Sequence, residues 1–97
     1  MKKVSCDMRG MLSFQILNML KKKDLCGEEI ATNIEKYRGK KPVASTIYPA
    51  LKRLSNAELI VGKRRGKRKV YSITKKGLSE EKKALSYFER LYSEIEK

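Results

Sequence analysis

Apolar residues recur along this chain at two periods, and the switch between them divides it. In residues 10–22, GMLSFQILNMLKK, Leu12, Ile16, Leu17 and Leu20 make one stripe flanked by Phe14 and Met19. Steps of three and four predict a first amphipathic helix. The run Lys21 to Lys23 suits its C-terminal end, where the last carbonyls leave partial negative charge. After a short connection, Asp24-Leu25-Cys26-Gly27, a second helix is predicted from Glu28 to about Tyr37, with Ile30, Ala31, Ile34 and Tyr37 inward. Glu28 and Glu29 complement its N-terminus, and Arg38-Gly39 closes it. A third helix is predicted within PVASTIYPALKRLSN, residues 42–56, with Val43, Ile47, Ala50, Leu51 and Leu54 on its apolar face. Ser45, Tyr48, Pro49, Lys52, Arg53 and Asn56 fall on or beside the opposite face. Ser45 or Thr46 is the expected N-cap. Pro49 removes a backbone donor, so a regular helix is expected only from near Thr46, or after a distorted first turn.

From Leu59 the pattern turns to β-branched runs. Leu59-Ile60-Val61 and Lys69-Val70-Tyr71-Ser72-Ile73 predict two short strands joined into a hairpin. Between them lies Gly62-Lys63-Arg64-Arg65-Gly66-Lys67-Arg68, read as a glycine-bracketed basic tip whose glycines supply positive φ values. Thr74 is the expected N-cap of a last helix running towards Lys97, with Gly77 in its first turn, where glycine costs less than in mid-helix. Leu78, Leu85, Phe88, Tyr92 and Ile95 are spaced 7, 3, 4 and 3 apart, with Leu91 beside them and Glu81 as the one polar exception. The expected fold is mainly α with a small β-hairpin (α+β), in the order of a winged helix-turn-helix. Residues 1–76 would form the DNA-binding domain and residues 77–97 a C-terminal dimerisation helix within the same compact unit.

Charge gives that order a function. Lys plus Arg number 24 against 11 Asp plus Glu, a net charge of +13 on 97 residues. A solubilising surface needs a net charge of only about 2 to 8, so the excess points to a polyanion. It is also local. Lys63, Arg64, Arg65, Lys67, Arg68, Lys69, Lys75 and Lys76 occur in one stretch without an acid, whereas residues 80–97 hold five glutamates against Lys82, Lys83, Arg90 and Lys97. The expected partner is double-stranded DNA. Ser45, Thr46, Tyr48, Pro49, Lys52 and Arg53 would enter the major groove, and Lys63, Arg64, Arg65, Lys67, Arg68 and Lys69 on the wing would follow backbone or minor groove. Tyr48 is read equally well as a DNA contact or a half-buried helix residue. Tyr71 is read as a packing residue, and Phe88 and Tyr92 as core or interface. Leu78, Leu85, Phe88, Leu91, Tyr92 and Ile95 are the expected homodimer interface.

At these residues the chain resembles the PadR-type transcriptional regulators, a branch of the winged-helix superfamily near MarR. Thr46-Ile47-Tyr48-Pro49-Ala50-Leu51-Lys52-Arg53-Leu54 is similar to the family's "T-L-Y-P-A-L-K-R-L". Arg68-Lys69-Val70-Tyr71-Ser72-Ile73-Thr74-Lys75-Lys76-Gly77 is similar to "R-K-Y-Y-x-L-T-x-x-G". Ile16-Leu17-Asn18-Met19-Leu20 and Leu25-Cys26-Gly27-Glu28-Glu29-Ile30 are similar to the end of its first helix and its "L-H-G-Y-E-I" entry to the second. The resemblance covers roughly residues 12–78 and makes Pro49 a family feature. It implies a homodimeric DNA-binding regulator, more specifically a repressor. Cys26 and Glu28 depart from the family's frequent histidine and tyrosine. A single C-terminal helix and the lack of tryptophan leave no support for an effector pocket.

The same residues bear on other classes of function. With no histidine, no GxSxG and no phosphate loop, no enzyme is expected. No cofactor or metal is expected either; a zinc site would need carboxylates to complete Cys6 and Cys26. Those two cysteines read as reduced thiols, or as a disulfide of the kind hyperthermophiles carry inside cells. A winged helix that binds proteins, and a nonspecific DNA or RNA binder, are the alternatives. No run of about 18 uncharged apolar residues exists, and no apolar segment follows the N-terminal lysines, so the expectation is a cytoplasmic protein without membrane contact.

Overall fold

The computed structural model describes residues 3–96, with side chains over 12–36 and 39–94. The chain runs α1 (Lys3–Lys22), β1 (Leu25–Cys26), α2 (Gly27–Arg38), α3 (Ala44–Asn56), β2 (Ile60–Arg65), β3 (Arg68–Ile73) and α4 (Lys75–Glu96). The sheet is antiparallel in the order β1-β3-β2. This is the expected mainly helical, winged helix-turn-helix arrangement. The first helix begins earlier than its stripe indicated. One strand is new: β1 occupies the segment read as a connection and pairs Leu25 with Tyr71 and Cys26 with Val70.

The three-helix core is the predicted one. Leu12, Ile16, Leu17 and Leu20 of α1 meet Ile30, Ala31 and Ile34 of α2 and Ile47, Ala50, Leu51 and Leu54 of α3; Leu25, Ile60 and Tyr71 close it from the sheet. Tyr37, expected inward, has a side chain outside the described residues, as does Cys6. Val43 corrects the reading of α3. It is the N-cap residue, extended at φ −80° and ψ 161°, and is 62% exposed instead of lying on the apolar face. Ser45 and Thr46 therefore sit inside the first turn, and no side chain caps the helix; Thr46 and Ile47 donate their N–H groups to the Val43 carbonyl. Pro49 lies in the second turn of a helix that continues through it.

The wing also differs from its reading. The strands continue through Gly62–Arg65 and Arg68–Lys69, so the turn shrinks to Gly66 and Lys67. Gly66 alone supplies the positive φ, 64°, at the first central position, where a type II′ hairpin turn takes glycine. Gly62 pairs with Tyr71 across the ladder, and a Cβ there would stand 3.0 Å from the Tyr71 ring. Its missing side chain makes room for the buried ring.

Thr74 caps α4 as expected. Its Oγ1 accepts from the Gly77 N–H at 3.0 Å and donates to the Glu58 carbonyl at 2.7 Å, while its N–H reaches the Leu59 carbonyl at 3.0 Å. The start of α4 is thus tied to the turn that ends α3. Gly77 is buried at that junction, and a Cβ on it would come 2.1 Å from the Leu59 carbonyl oxygen. Helix propensity was the weaker reason for this glycine; close backbone approach is the stronger one. Because backbone on both sides must move, Gly77→Ala should lower the unfolding free energy by about 3 kcal/mol, the upper part of the overpacking range. Urea denaturation followed by circular dichroism measures it.

Candidate nucleic-acid interface

The apolar positions of α3 are consumed by the core, so the rest of its circumference is open. Ser45, Thr46, Tyr48, Pro49, Lys52 and Arg53 are all exposed. So are Lys63, Arg64 and Arg65 on β2, Lys67 in the turn, and Arg68 and Lys69 on β3. None of these cations is paired with a carboxylate among the described residues, whose ion pairs are Lys21–Glu81, Lys41–Glu28 and Lys83–Glu80. Among the described residues, eight positive charges on one helix and one hairpin therefore stand without a carboxylate partner.

A cleft of about 260 Å³ brings Tyr48 together with four of the wing cations, while Ser45, Thr46, Pro49, Lys52, Arg53, Lys63 and Arg65 lie outside its lining. Tyr48 of α3 and Gly27 and Glu28 of α2 line one side, and Arg64, Lys67, Arg68 and Lys69 of the wing line the other. Glu28, the one acid among the lining residues, is turned to Lys41 in an exposed ion pair. Gly27 and Glu28 are the first residues of α2, so the positive end of that helix dipole lies at this cleft and adds to the charges of the wing. Glu29 is engaged within the chain: its carboxylate accepts the Cys26 N–H at 2.9 Å, which holds its pKa below the usual value.

Tyr48 combines both of its readings. It is 50% exposed, yet its ring leans on the first residue of α2, where a Cβ on Gly27 would fall 2.6 Å from the phenol oxygen. Gly27 was missed as a site residue, because nothing in its local sequence shows which ring will lie over it. Tyr71 forms the floor of the cleft from the sheet side, buried as expected, and burial pushes its phenol above the ordinary range. Lys69 Nζ sits 5.8 Å from the centre of that ring, which steadies it over the strand. Arg68 reaches across β3 towards Cys26 Sγ at 4.0 Å. Cys26 is a buried free thiol, and no group of potential metal ligands occurs among the described residues.

The C-terminal helix presents a second surface. Leu78, Leu85, Leu91 and Tyr92 are exposed, and so is Tyr87, which the a/d spacing did not pick out. Phe88 departs from them: it meets Phe14 of α1 edge to face, 5.1 Å between ring centres, so part of the stripe is used within its own chain. The side chain of Ile95 lies outside the described residues. No described helix is long and apolar enough to cross a membrane.

Known proteins share this fold. The model of the transcriptional regulator PadR-like family matches residues 16–83. A transcriptional regulator from Clostridium thermocellum is similar in structure, with TM-score 0.85 and 27% identity over 94% of this chain and 92% of that one. A PadR-like transcription factor from Bacteroides fragilis gives TM-score 0.83 and 27% identity over 97% and 96%. PadR of Bacillus subtilis in complex with operator DNA gives TM-score 0.68 and 29% identity over 77% of this chain and 45% of that one. No curated protein matches the chain.

Proposed function

The chain belongs to the PadR-like family of transcriptional regulators, which are not enzymes, and from that premise we propose that it binds duplex DNA sequence-specifically, as a homodimeric repressor in the cytoplasm. One observation carries the reading: Tyr48, on the exposed face of α3, and four wing cations, Arg64, Lys67, Arg68 and Lys69, line a single cleft. Residues 1–76 are the DNA-binding unit and residues 77–97 the pairing helix. In the Bacillus subtilis relative a PadR chain is seen on operator DNA. Here α3 would lie in the major groove, with Ser45, Thr46, Tyr48 and Pro49 near base edges and Lys52 and Arg53 on phosphates. Lys63, Arg64, Arg65, Lys67, Arg68 and Lys69 would run along backbone or minor groove.

Footprinting on the region upstream of the protein's own gene tests the proposal; a protected pseudo-palindrome is the expected result, and uniform protection would leave only a nonspecific binder. Ser45→Ala or Tyr48→Ala should change the preference among sites by about 1–3 kcal/mol per lost base contact, without a matching loss on random DNA. If both variants rank a panel of sites as the wild type does, α3 is not the reader. Gly27→Ala gives a sharper form of the same test. The new methyl collides with the tip of a side chain that can swing, so Tyr48 moves while the fold stays. It should shift site ranking in the same direction as Tyr48→Ala.

A further inference from the structure

Glu81 is the one charged side chain buried among the described residues, 1% exposed between α4 and α1. Asn18 Nδ2 donates to its Oε2 at 3.1 Å and Lys21 Nζ to its Oε1 at 3.4 Å, so both donors come from the last turns of α1. The position belongs to the same stripe as Leu78, Leu85 and Phe88, where a leucine would be equally buried. The Lys21 side chain stays exposed, so Glu81 alone is withdrawn from water. A carboxylate so buried is seldom more stabilising than an apolar side chain of similar size, and the best-attested use of such groups is to fix register. Stability therefore gives no reason for a carboxylate here. Direction does. Apolar contact tolerates sliding and rotation, whereas hydrogen bonds weaken steeply when their angle is lost.

We propose that Glu81 is a positioning residue: held by Asn18 and Lys21, it sets the direction in which α4 leaves the winged-helix unit, and so the distance between the two half-sites that the protein accepts. The inference rests on the homodimer proposed above. Thr74 and Gly77 pin the first turn of α4, the Glu81 cluster pins the second, and Phe88 packs on Phe14 of α1 farther along. Beyond Glu81 the helix continues for fifteen residues to Glu96, about 22 Å at 1.5 Å per residue. A change of about 10° at Glu81 would displace that far end by about 4 Å, more than the 3.4 Å rise of one base pair. In a two-fold dimer whose partners meet along α4, each protomer contributes such a displacement. The side chain touches no DNA in this scheme and acts through the helix.

The test selects sites from a randomised duplex pool with the wild type, Glu81→Gln and Glu81→Leu. The recovered site is then resynthesised with one base pair added to or removed from its centre. The wild type should lose about tenfold or more in affinity on these altered duplexes, the cost of a misplaced half-site. Glu81→Gln keeps an acceptor oxygen for Lys21 and can donate its amide N–H to an Asn18 turned to present its oxygen, so it should keep that penalty. Glu81→Leu should lose less than about threefold, while selecting the same half-site sequence. A general structural defect would weaken binding to every duplex and leave the spacing penalty in place. If Glu81→Leu proves unfolded by circular dichroism, Asn18→Leu removes the nearer of the two donors and should relax spacing in the same way. A folded, dimeric Glu81→Leu or Asn18→Leu with the wild-type penalty would overturn the inference. Failure of the wild type to select paired half-sites would overturn the dimer reading, and the inference with it.

Discussion

Raising the salt from 50 to 200 mM should weaken DNA binding by about 10³–10⁵, if a dimer neutralises about 6–10 phosphates. The cations responsible are Lys52, Arg53 and the six on the wing, all exposed and none paired with a carboxylate among the described residues. Each contact with duplex DNA releases condensed counterions, so the logarithm of affinity falls linearly with the logarithm of salt, by about 0.9 for each phosphate engaged. Replacing Arg64, Arg65 and Lys67 together with alanine should flatten that slope. It should also weaken all sequences alike, because phosphate contacts position the protein and carry no base information. The wing residues are on strands and a turn whose packing depends on Gly62, Tyr71 and Val70, so the fold should survive the triple change. An affinity indifferent to salt would show that the +13 charge serves something other than DNA.

The sequence carries the core faces of α1, α2 and α3 almost completely, because each helix alternates inward and outward residues with one period. Where it misled, the local pattern had a second cause. Val43 keeps helical spacing but precedes the helix, in extended backbone to which that spacing does not apply. Two residues are too few for a strand to show alternation, and the partner of β1 is β3, far along the chain, so Leu25-Cys26 passed as a connection. Two of three glycines show the same limit. Gly66 has the backbone role expected of it, whereas Gly62 and Gly77 are required by atoms of distant residues, the Tyr71 ring and the Leu59 carbonyl. Residue type shows that a position is permissive; only the fold shows what occupies the space.

The candidate site divides in the same way. Exposure of Ser45, Tyr48, Lys52 and Arg53 follows from the wheel of α3, and the basic wing from the composition of one short stretch. That α3, the wing and the start of α2 share one cleft depends on β1 joining β3, which brings Cys26 and Gly27 beside Arg68 and Tyr71. Glu81 was visible as an interruption of an apolar stripe, yet its partners on α1 were not, since they lie some sixty residues away.

Introducing Leu91→Glu and Tyr92→Glu together should convert the protein from a dimer to a folded monomer that has lost most of its specific binding. Both side chains belong to the distal half of α4 and are exposed in the single chain, at 41% and 65%. Charging them removes nothing from the protomer's own core, so its unfolding should stay within about 0.5 kcal/mol of the wild type, as for other surface changes. In a dimer they would be covered, and full burial of such side chains stabilises association by about 1.5–3 kcal/mol each. Four new carboxylates facing one another across a two-fold axis would then oppose pairing through like charge as well as lost apolar contact. Since the two α3 helices act as one binding unit only while joined, specific affinity should fall by about 10² or more, while the unaltered wing retains its nonspecific, salt-sensitive attraction. Phe88 sharpens the comparison. Because it packs on Phe14 of its own chain, Phe88→Ala should lower protomer stability, an effect the double glutamate variant should not share. Sedimentation equilibrium at micromolar concentration decides the matter: a double variant that remains dimeric would move the interface away from this end of α4.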